Sequence, residues 1–98
     1  MSIHSLEVSI TPTAKGHRVW IQGTGDKSQR WVVGTRFNVN IGPDAIHVVR
    51  ASDDGKRAVS KGKGGIIDLT SKKVSQWAQG HDRALVTITD AVITITRA

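Results

Sequence analysis

The side chains best able to do chemistry in this sequence are its cations. Lysine and arginine number 14 against 8 aspartates and glutamates, which gives a formal net charge of +6 with neutral histidine. Such an excess on one small chain favours an anionic partner, and nucleic acid is a partner of this kind. We single out eight residues as candidate contacts to phosphates or base edges: Arg18, Lys27, Arg30, Arg36, Lys61, Lys63, Lys72 and Lys73. For any single lysine, the alternative is an ordinary solvated surface position.

Other site chemistries have little support in the sequence. The chain has no cysteine, which excludes disulfides, thiolate zinc sites and a cysteine nucleophile. The four histidines are far apart and show no metal-ligand spacing, so no metal site and no cofactor are expected. The adjacent Asp53 and Asp54 are interpreted as turn residues rather than a catalytic pair. We predict no catalytic residues; a nucleolytic role for His17 or His81 is a minor alternative.

Glycine-rich and aromatic residues add two further candidates. The segment KGKGG, residues 61–65, is interpreted as a flexible basic turn, with a backbone loop around a phosphate as the alternative. Trp31 and Trp77 are predicted to pack in the core. Trp20 competes with Val19 and Ile21 for the inward face, so a core position and a surface position that stacks on bases both stay open.

Apolar and polar residues alternate along most of the chain, which is typical of strands with one buried face. The pattern occurs in SLEVSI, RFNVNI, IHVV, ALVTIT and VITIT. Turn residues at Gly42-Pro43-Asp44 and at Thr89-Asp90 predict two β-hairpins. This alternation places Arg36 on the solvent side of its strand, opposite Phe37.

Two segments have helical rather than strand character. SKKVSQWAQG predicts a short helix with Ser71 as N-cap and Gly80 just beyond its end, and Asp68 is an alternative cap. GDKSQRWVVG, residues 25–34, predicts a second, weaker helix with Asp26 as a cap.

An internal repeat relates the two halves of the chain. At a shift of 46 residues Ile21 aligns with Ile67 and Trp31 with Trp77; at a shift of 47, Val39 aligns with Val86 and Arg50 with Arg97. We therefore predict one mainly β domain over residues 1–98, with repeat 1 at about 5–51 and repeat 2 at about 56–98. The predicted fold is a small pseudo-twofold β-barrel of two strand-strand-helix-strand-strand repeats, with one or two short helices.

The string RVWIQG, followed by eight residues and VVGTRFNVNIGPDAIHVVR, resembles the swapped-hairpin barrels of the AbrB and MazE type, within them the SymE-like branch. The second copy, from IIDLTSKKVSQWAQG onward, is similar but lacks the glycine of the Ile-x-Gly motif. Family members interlace two such motifs into one barrel and bind DNA through basic residues on an exposed surface. The resemblance therefore implies an AbrB-like fold and nucleic-acid binding.

Together these features predict a small basic protein that binds nucleic acid, most simply duplex DNA, as a regulator or an antitoxin-like protein. One alternative is an interaction module or inhibitor that binds an acidic protein partner, and another is a SymE-like toxin that acts on RNA. We expect a cytoplasmic protein without a membrane partner, present either as a monomeric pseudo-dimer or as a homodimer. An enzyme is not expected.

Overall fold

Eight strands and two short helices make up the fold in a computed structural model that describes residues 3–98. In chain order the elements are β1 (His4–Thr13), β2 (Gly16–Gln22), α1 (Thr24–Lys27), β3 (Arg36–Ile41), β4 (Ala45–Arg50), β5 (Arg57–Ala58), β6 (Ile66–Ser71), α2 (Lys72–Ala78), β7 (Arg83–Ile88) and β8 (Val92–Arg97). A single 3₁₀ turn, Gln29–Trp31, follows α1. The prediction of a mainly β domain with short helices is confirmed.

The strands form one antiparallel sheet that curves into a nearly closed barrel. Their order across the sheet is β5-β3-β4-β8-β7-β1-β2-β6. Ser60, just beyond β5, pairs with Ile66 at the start of β6, which brings the two sheet edges together. Side chains alternate between the interior and solvent because the strand period is two, so Ile46 and Val48 are buried while His47 between them is exposed.

The strand registers preserve the predicted twofold relation between the repeats. In the β2–β6 pair Ile21 lies opposite Ile67, and in the β4–β8 pair His47 lies opposite Thr94. Both pairs join equivalent positions of the two repeats in antiparallel strands, so the pseudo-twofold axis passes through them. The hairpins also match: Gly42 N–H donates to Ala45 and Thr89 N–H donates to Val92, each at 3.0 Å, as the turn residues predict.

The two helices lie at opposite ends of the barrel. α1 follows the end of β2 and α2 follows the end of β6, and these two strands are antiparallel neighbours. Each helical segment carries one core tryptophan, and Trp31 and Trp77 are only 0 % and 2 % exposed. The prediction that both pack in the core is confirmed, and Trp20, at 36 % exposure, lies on the surface.

The predicted helix caps need two corrections. The side chain of Ser71 accepts the N–H of Val74, so Ser71 caps α2; Asp68 lies within β6 and bonds elsewhere. Gly23 rather than Asp26 precedes α1, and Asp26 lies inside its first turn. The helix expected over residues 25–34 is interrupted after Lys27, because Ser28 is extended and caps the 3₁₀ turn instead. Gly80 follows α2 with a positive φ of 82°, as predicted.

Candidate nucleic-acid interface

Four of the eight predicted cations gather at the barrel end that carries α1. Backbone hydrogen bonds place the 61–65 loop of the second repeat against the start of α1 in the first: Gly23 N–H donates to Gly65 and Gly25 N–H to Gly64, each at 2.8 Å. The loop is therefore anchored to α1, which differs from the free, flexible turn expected from its sequence. This contact brings together residues that are far apart in the chain: Lys27, Arg30, Lys61 and Lys63.

Arg50 borders the same end of the barrel and was missed among the sequence candidates. Its backbone N–H donates to Ala91 at 3.1 Å, next to Asp90, whose carboxylate accepts the Ser28 hydroxyl at 3.0 Å. The equivalence of Arg50 with Arg97 is the sequence signal that could have drawn attention to it. We call the set Lys27, Arg30, Arg50, Lys61 and Lys63 the α1-end surface.

Carboxylates also lie at this end and reduce its positive charge. Asp26 packs against Gly64, and Asp90 sits beside Ser28 in the β7–β8 turn. Asp53 and Asp54 stand in the turn that follows Arg50, so four carboxylates accompany the five cations of the α1-end surface. None of its five cationic side chains forms an ion pair within residues 3–98. No direct ion pair with the described part of the chain balances these five charges.

The other four predicted cations lie outside this set, although Arg36 is at the same end of the barrel: its carbonyl accepts the N–H of Ala51, which follows Arg50, at 2.9 Å. Lys72 and Lys73 begin α2 and therefore lie at the opposite end of the barrel. Arg36 is exposed at the start of β3, and its Nε donates to the Gly55 carbonyl at 2.9 Å, which holds the turn after β4. Arg18 projects from the barrel wall on β2. The eight candidates are thus divided among two ends and a wall.

Arg18 belongs to a distinct cluster on the wall formed by β2 and β6. Its Nε and Nη2 donate to the two carboxylate oxygens of Asp68 at 3.1 and 2.9 Å, and its guanidinium carbon lies 4.7 Å from the centre of the Trp20 ring. Arg57, another residue missed from the sequence, donates through Nη2 to the Asp68 carbonyl at 2.7 Å. Nothing in the sequence pattern placed Arg57 near Arg18.

The ion pair alters the acid strength of both partners. The hydrogen bond from Arg18 holds the pKa of the Asp68 carboxyl below its usual value; partial burial opposes this effect, and the Thr70 hydroxyl at 2.6 Å reinforces it. The same hydrogen bond raises the pKa of Arg18. Asp68 is therefore ionised at neutral pH and balances the charge of Arg18.

One side of the barrel carries little formal charge on its outer face. Apart from Arg83, which begins β7 and pairs with Glu7, the outward positions of β4, β8 and β7 hold neither lysine, arginine, aspartate nor glutamate. These eight uncharged positions, called the neutral face, are Ala45, His47, Val49, Val92, Thr94, Thr96, Leu85 and Thr87. The cations are consequently not spread evenly around the molecule. They are concentrated on the ends and on the wall across the barrel from this neutral face.

Residues 3–98 contain no group of three or more histidine, aspartate or glutamate side chains placed to hold a metal ion. Over the same span, no helix has the length and apolar character needed to cross a membrane.

Comparison with known proteins returns no match to a family model, a curated protein or a solved structure. The resemblance to AbrB- and MazE-type barrels accordingly stays a prediction that rests on the residues alone.

Proposed function

We propose that this protein binds nucleic acid, duplex DNA in the first instance, through the α1-end surface. The observation that carries the proposal is the convergence of Lys27 and Arg30 from one repeat with Lys61 and Lys63 from the other, fixed by the hydrogen bonds of Gly23 and Gly25. Cations from two repeats on one rigid end form a patch that can contact several phosphates at once, and each neutralised phosphate releases counterions.

The uneven distribution of charge supports the same proposal. A protein that uses positive charge only for solubility has no reason to keep one barrel face neutral while cations accumulate elsewhere. The resemblance to DNA-binding swapped-hairpin barrels points to the same class of partner. As its biological role, we propose a regulator or an antitoxin-like protein.

Salt dependence of DNA affinity tests the proposal directly. Each phosphate contact contributes about −0.9 to the slope of log affinity against log salt, so the five cations of the α1-end surface predict a slope between about −2 and −4. Fluorescence anisotropy of a labelled duplex at several salt concentrations measures it. A flat dependence, or no binding at low salt, would reject duplex DNA as the partner of the α1-end surface and favour an acidic protein.

A matched pair of variants locates the contact surface. Lys61→Gln with Lys63→Gln removes two charges from the α1-end surface, and Lys72→Gln with Lys73→Gln removes two charges from the opposite end. Because both double variants have the same net charge, long-range attraction falls equally in each. We expect the first to lose about two units of salt slope and the second to keep the parent slope. Equal losses in both would contradict binding at the α1 end.

A further inference from the structure

The β2–β6 wall holds a cleft that the proposed DNA contacts do not use. Its volume is about 520 Å³, which is in the range of small-ligand sites, and Lys15, Arg18, Arg57 and Asp68 line it. Lys15 comes from the β1–β2 turn, whereas Arg57 and Asp68 come from the second repeat. Three cations and one carboxylate therefore face a single concave surface.

The carboxylate in this cleft is already occupied by protein groups. Both oxygens of Asp68 accept Arg18, and one also accepts the Thr70 hydroxyl at 2.6 Å. Asp68 therefore holds Arg18 in place, and its negative charge is already paired with that guanidinium. The remaining positive charge belongs to Lys15 and Arg57, neither of which forms an ion pair within the described residues.

Several N–H donors in the cleft are unused. A guanidinium carries five N–H groups, of which Arg18 gives two to Asp68 and Arg57 gives one to the Asp68 carbonyl. The other N–H groups of both side chains have no protein acceptor in residues 3–98. Fixed guanidinium groups with free N–H donors suit the oxygens of a phosphate.

An aromatic surface lies directly beside these donors. Trp20 is the one tryptophan of the three that solvent reaches, and its indole N–H is held by Gln22 Oε1 at 3.2 Å. Arg18 lies over its ring at 4.7 Å, so an indole and a guanidinium form a layered, preorganised pair. Planar rings stack on such a pair, and every nucleobase offers a planar face.

We propose that this cleft binds a nucleoside phosphate, with the phosphate at Lys15, Arg18 and Arg57 and the base stacked against the Trp20–Arg18 pair. The ligand chemistry is the same whether the nucleotide is free or is an unpaired residue of a single strand. The proposal does not depend on duplex binding, because the cleft lies on the barrel wall and shares no residue with the α1-end surface.

The intrinsic fluorescence of the protein gives a specific readout. Trp31 and Trp77 are buried, so iodide or acrylamide quenches chiefly Trp20. Adenosine monophosphate and a single-stranded oligonucleotide are each expected to protect Trp20 from the quencher in a saturable way. Ribose 5-phosphate carries the phosphate without the base and is expected to protect at least about tenfold less well, since base stacking is missing.

Two outcomes of this titration would overturn the proposal. Quenching of Trp20 that is unchanged by the nucleotide at low salt would mean that the cleft does not bind it. Equal protection by ribose 5-phosphate and by the nucleotide would mean that no base is bound. Stronger protection by the oligonucleotide than by the mononucleotide would support an unpaired residue of a strand as the ligand, and equal affinities would support a free nucleotide.

Variants read by calorimetry provide a second measurement that does not depend on Trp20 fluorescence. Trp20→Phe keeps an aromatic ring and is expected to retain nucleotide binding within about threefold, whereas Trp20→Ala is expected to weaken it about tenfold or more. Arg57→Gln leaves the stacking pair intact and is expected to weaken binding of both nucleotide and ribose 5-phosphate. Nucleotide affinity that is the same in all three variants would contradict the proposal, whatever the duplex affinity of the protein.

Discussion

The two core tryptophans occupy equivalent positions in the repeats but differ in one hydrogen bond. The Trp31 indole N–H donates to the Thr89 carbonyl at 2.7 Å, whereas the buried Trp77 indole N–H has no acceptor within residues 3–98. A buried donor without a partner costs free energy, so the two repeats do not gain equally from the same residue type. Comparing the two tryptophans therefore separates the contribution of packing to stability from that of the indole hydrogen bond.

Replacement of each tryptophan by phenylalanine tests this difference. Both variants lose similar buried volume, but only Trp31→Phe also leaves the Thr89 carbonyl without its donor. We expect Trp31→Phe to lower the free energy of unfolding by about 1 kcal/mol more than Trp77→Phe. Urea denaturation of both variants measures this, and a larger loss for Trp77→Phe would contradict the assigned hydrogen bonds.

The Arg18–Asp68 pair makes stability depend on acid pH. The pKa of Asp68 is lowered in the folded chain by the hydrogen bond from Arg18. A carboxyl of this kind stabilises the fold at pH values above its unfolded pKa of about 3.9, and the contribution disappears as the pH falls through the folded value. Both side chains are partly exposed, so the effect is small.

The variant Asp68→Asn is expected to be slightly less stable than the parent at neutral pH, and the deficit is expected to shrink at low pH as the carboxyl of Asp68 in the parent takes up a proton. Denaturant titrations at both pH values measure the difference. Asp82→Asn is the control, since the Asp82 side chain makes no hydrogen bond or ion pair within residues 3–98. A deficit for Asp68→Asn that persists unchanged at low pH would exclude the ion pair as its cause.

At the scale of elements, glycine backbone geometry fixes the 61–65 loop against α1. Gly65 has a positive φ of 107°, and a Cβ there would lie 2.7 Å from the hydroxyl of the buried Thr24, which itself donates to the Trp31 carbonyl at 2.8 Å. Gly34 has a similar φ of 91° but open space around it. An alanine would be strained by the positive φ at either position, but only at Gly65 would its Cβ also collide with Thr24.

Alanine substitutions at these glycines separate strain from contact. Gly34→Ala is expected to cost about 1–3 kcal/mol of stability through strain alone, and Gly65→Ala to cost more because Thr24 must also move. Thermal unfolding monitored by circular dichroism ranks the two. Equal losses would mean that the loop does not pack on Thr24.

The elements were predictable where local chemistry alone determines them. Alternating residues such as Phe37 and Ile46, the turn at Gly42 and the cap at Ser71 behave as their sequence indicates. The interruption after Lys27 was not predictable, because Ser28 is extended to meet Asp90, which is 62 positions away in the chain. The alternative assignment of Asp68 as a cap is wrong, because its side chain bonds Arg18, which is 50 positions away in the chain. At both positions, a hydrogen bond to a residue far away in the chain determines what the side chain does.

At the scale of the whole molecule, the repeat explains the barrel but not the distribution of charge. The pseudo-twofold axis through the Ile21–Ile67 and His47–Thr94 pairs relates α1 to α2, so a symmetric charge pattern would give two similar ends. The cations follow this symmetry only in part: the 61–65 loop adds Lys61 and Lys63 to the α1 end, whereas the equivalent β1–β2 turn adds only Lys15 to the α2 end. The two ends therefore differ in the number and placement of their cations.

The most direct test of binding at the α1 end is a residue-resolved NMR titration of the protein with duplex DNA at low salt. We expect backbone amide shifts to change at Gly25, Arg30 and Gly64, while those of Gln76 at the α2 end and Thr94 on the neutral face stay constant. Changes confined to the α2 end or the neutral face, or no changes at all, would contradict the α1 end as the DNA-binding surface.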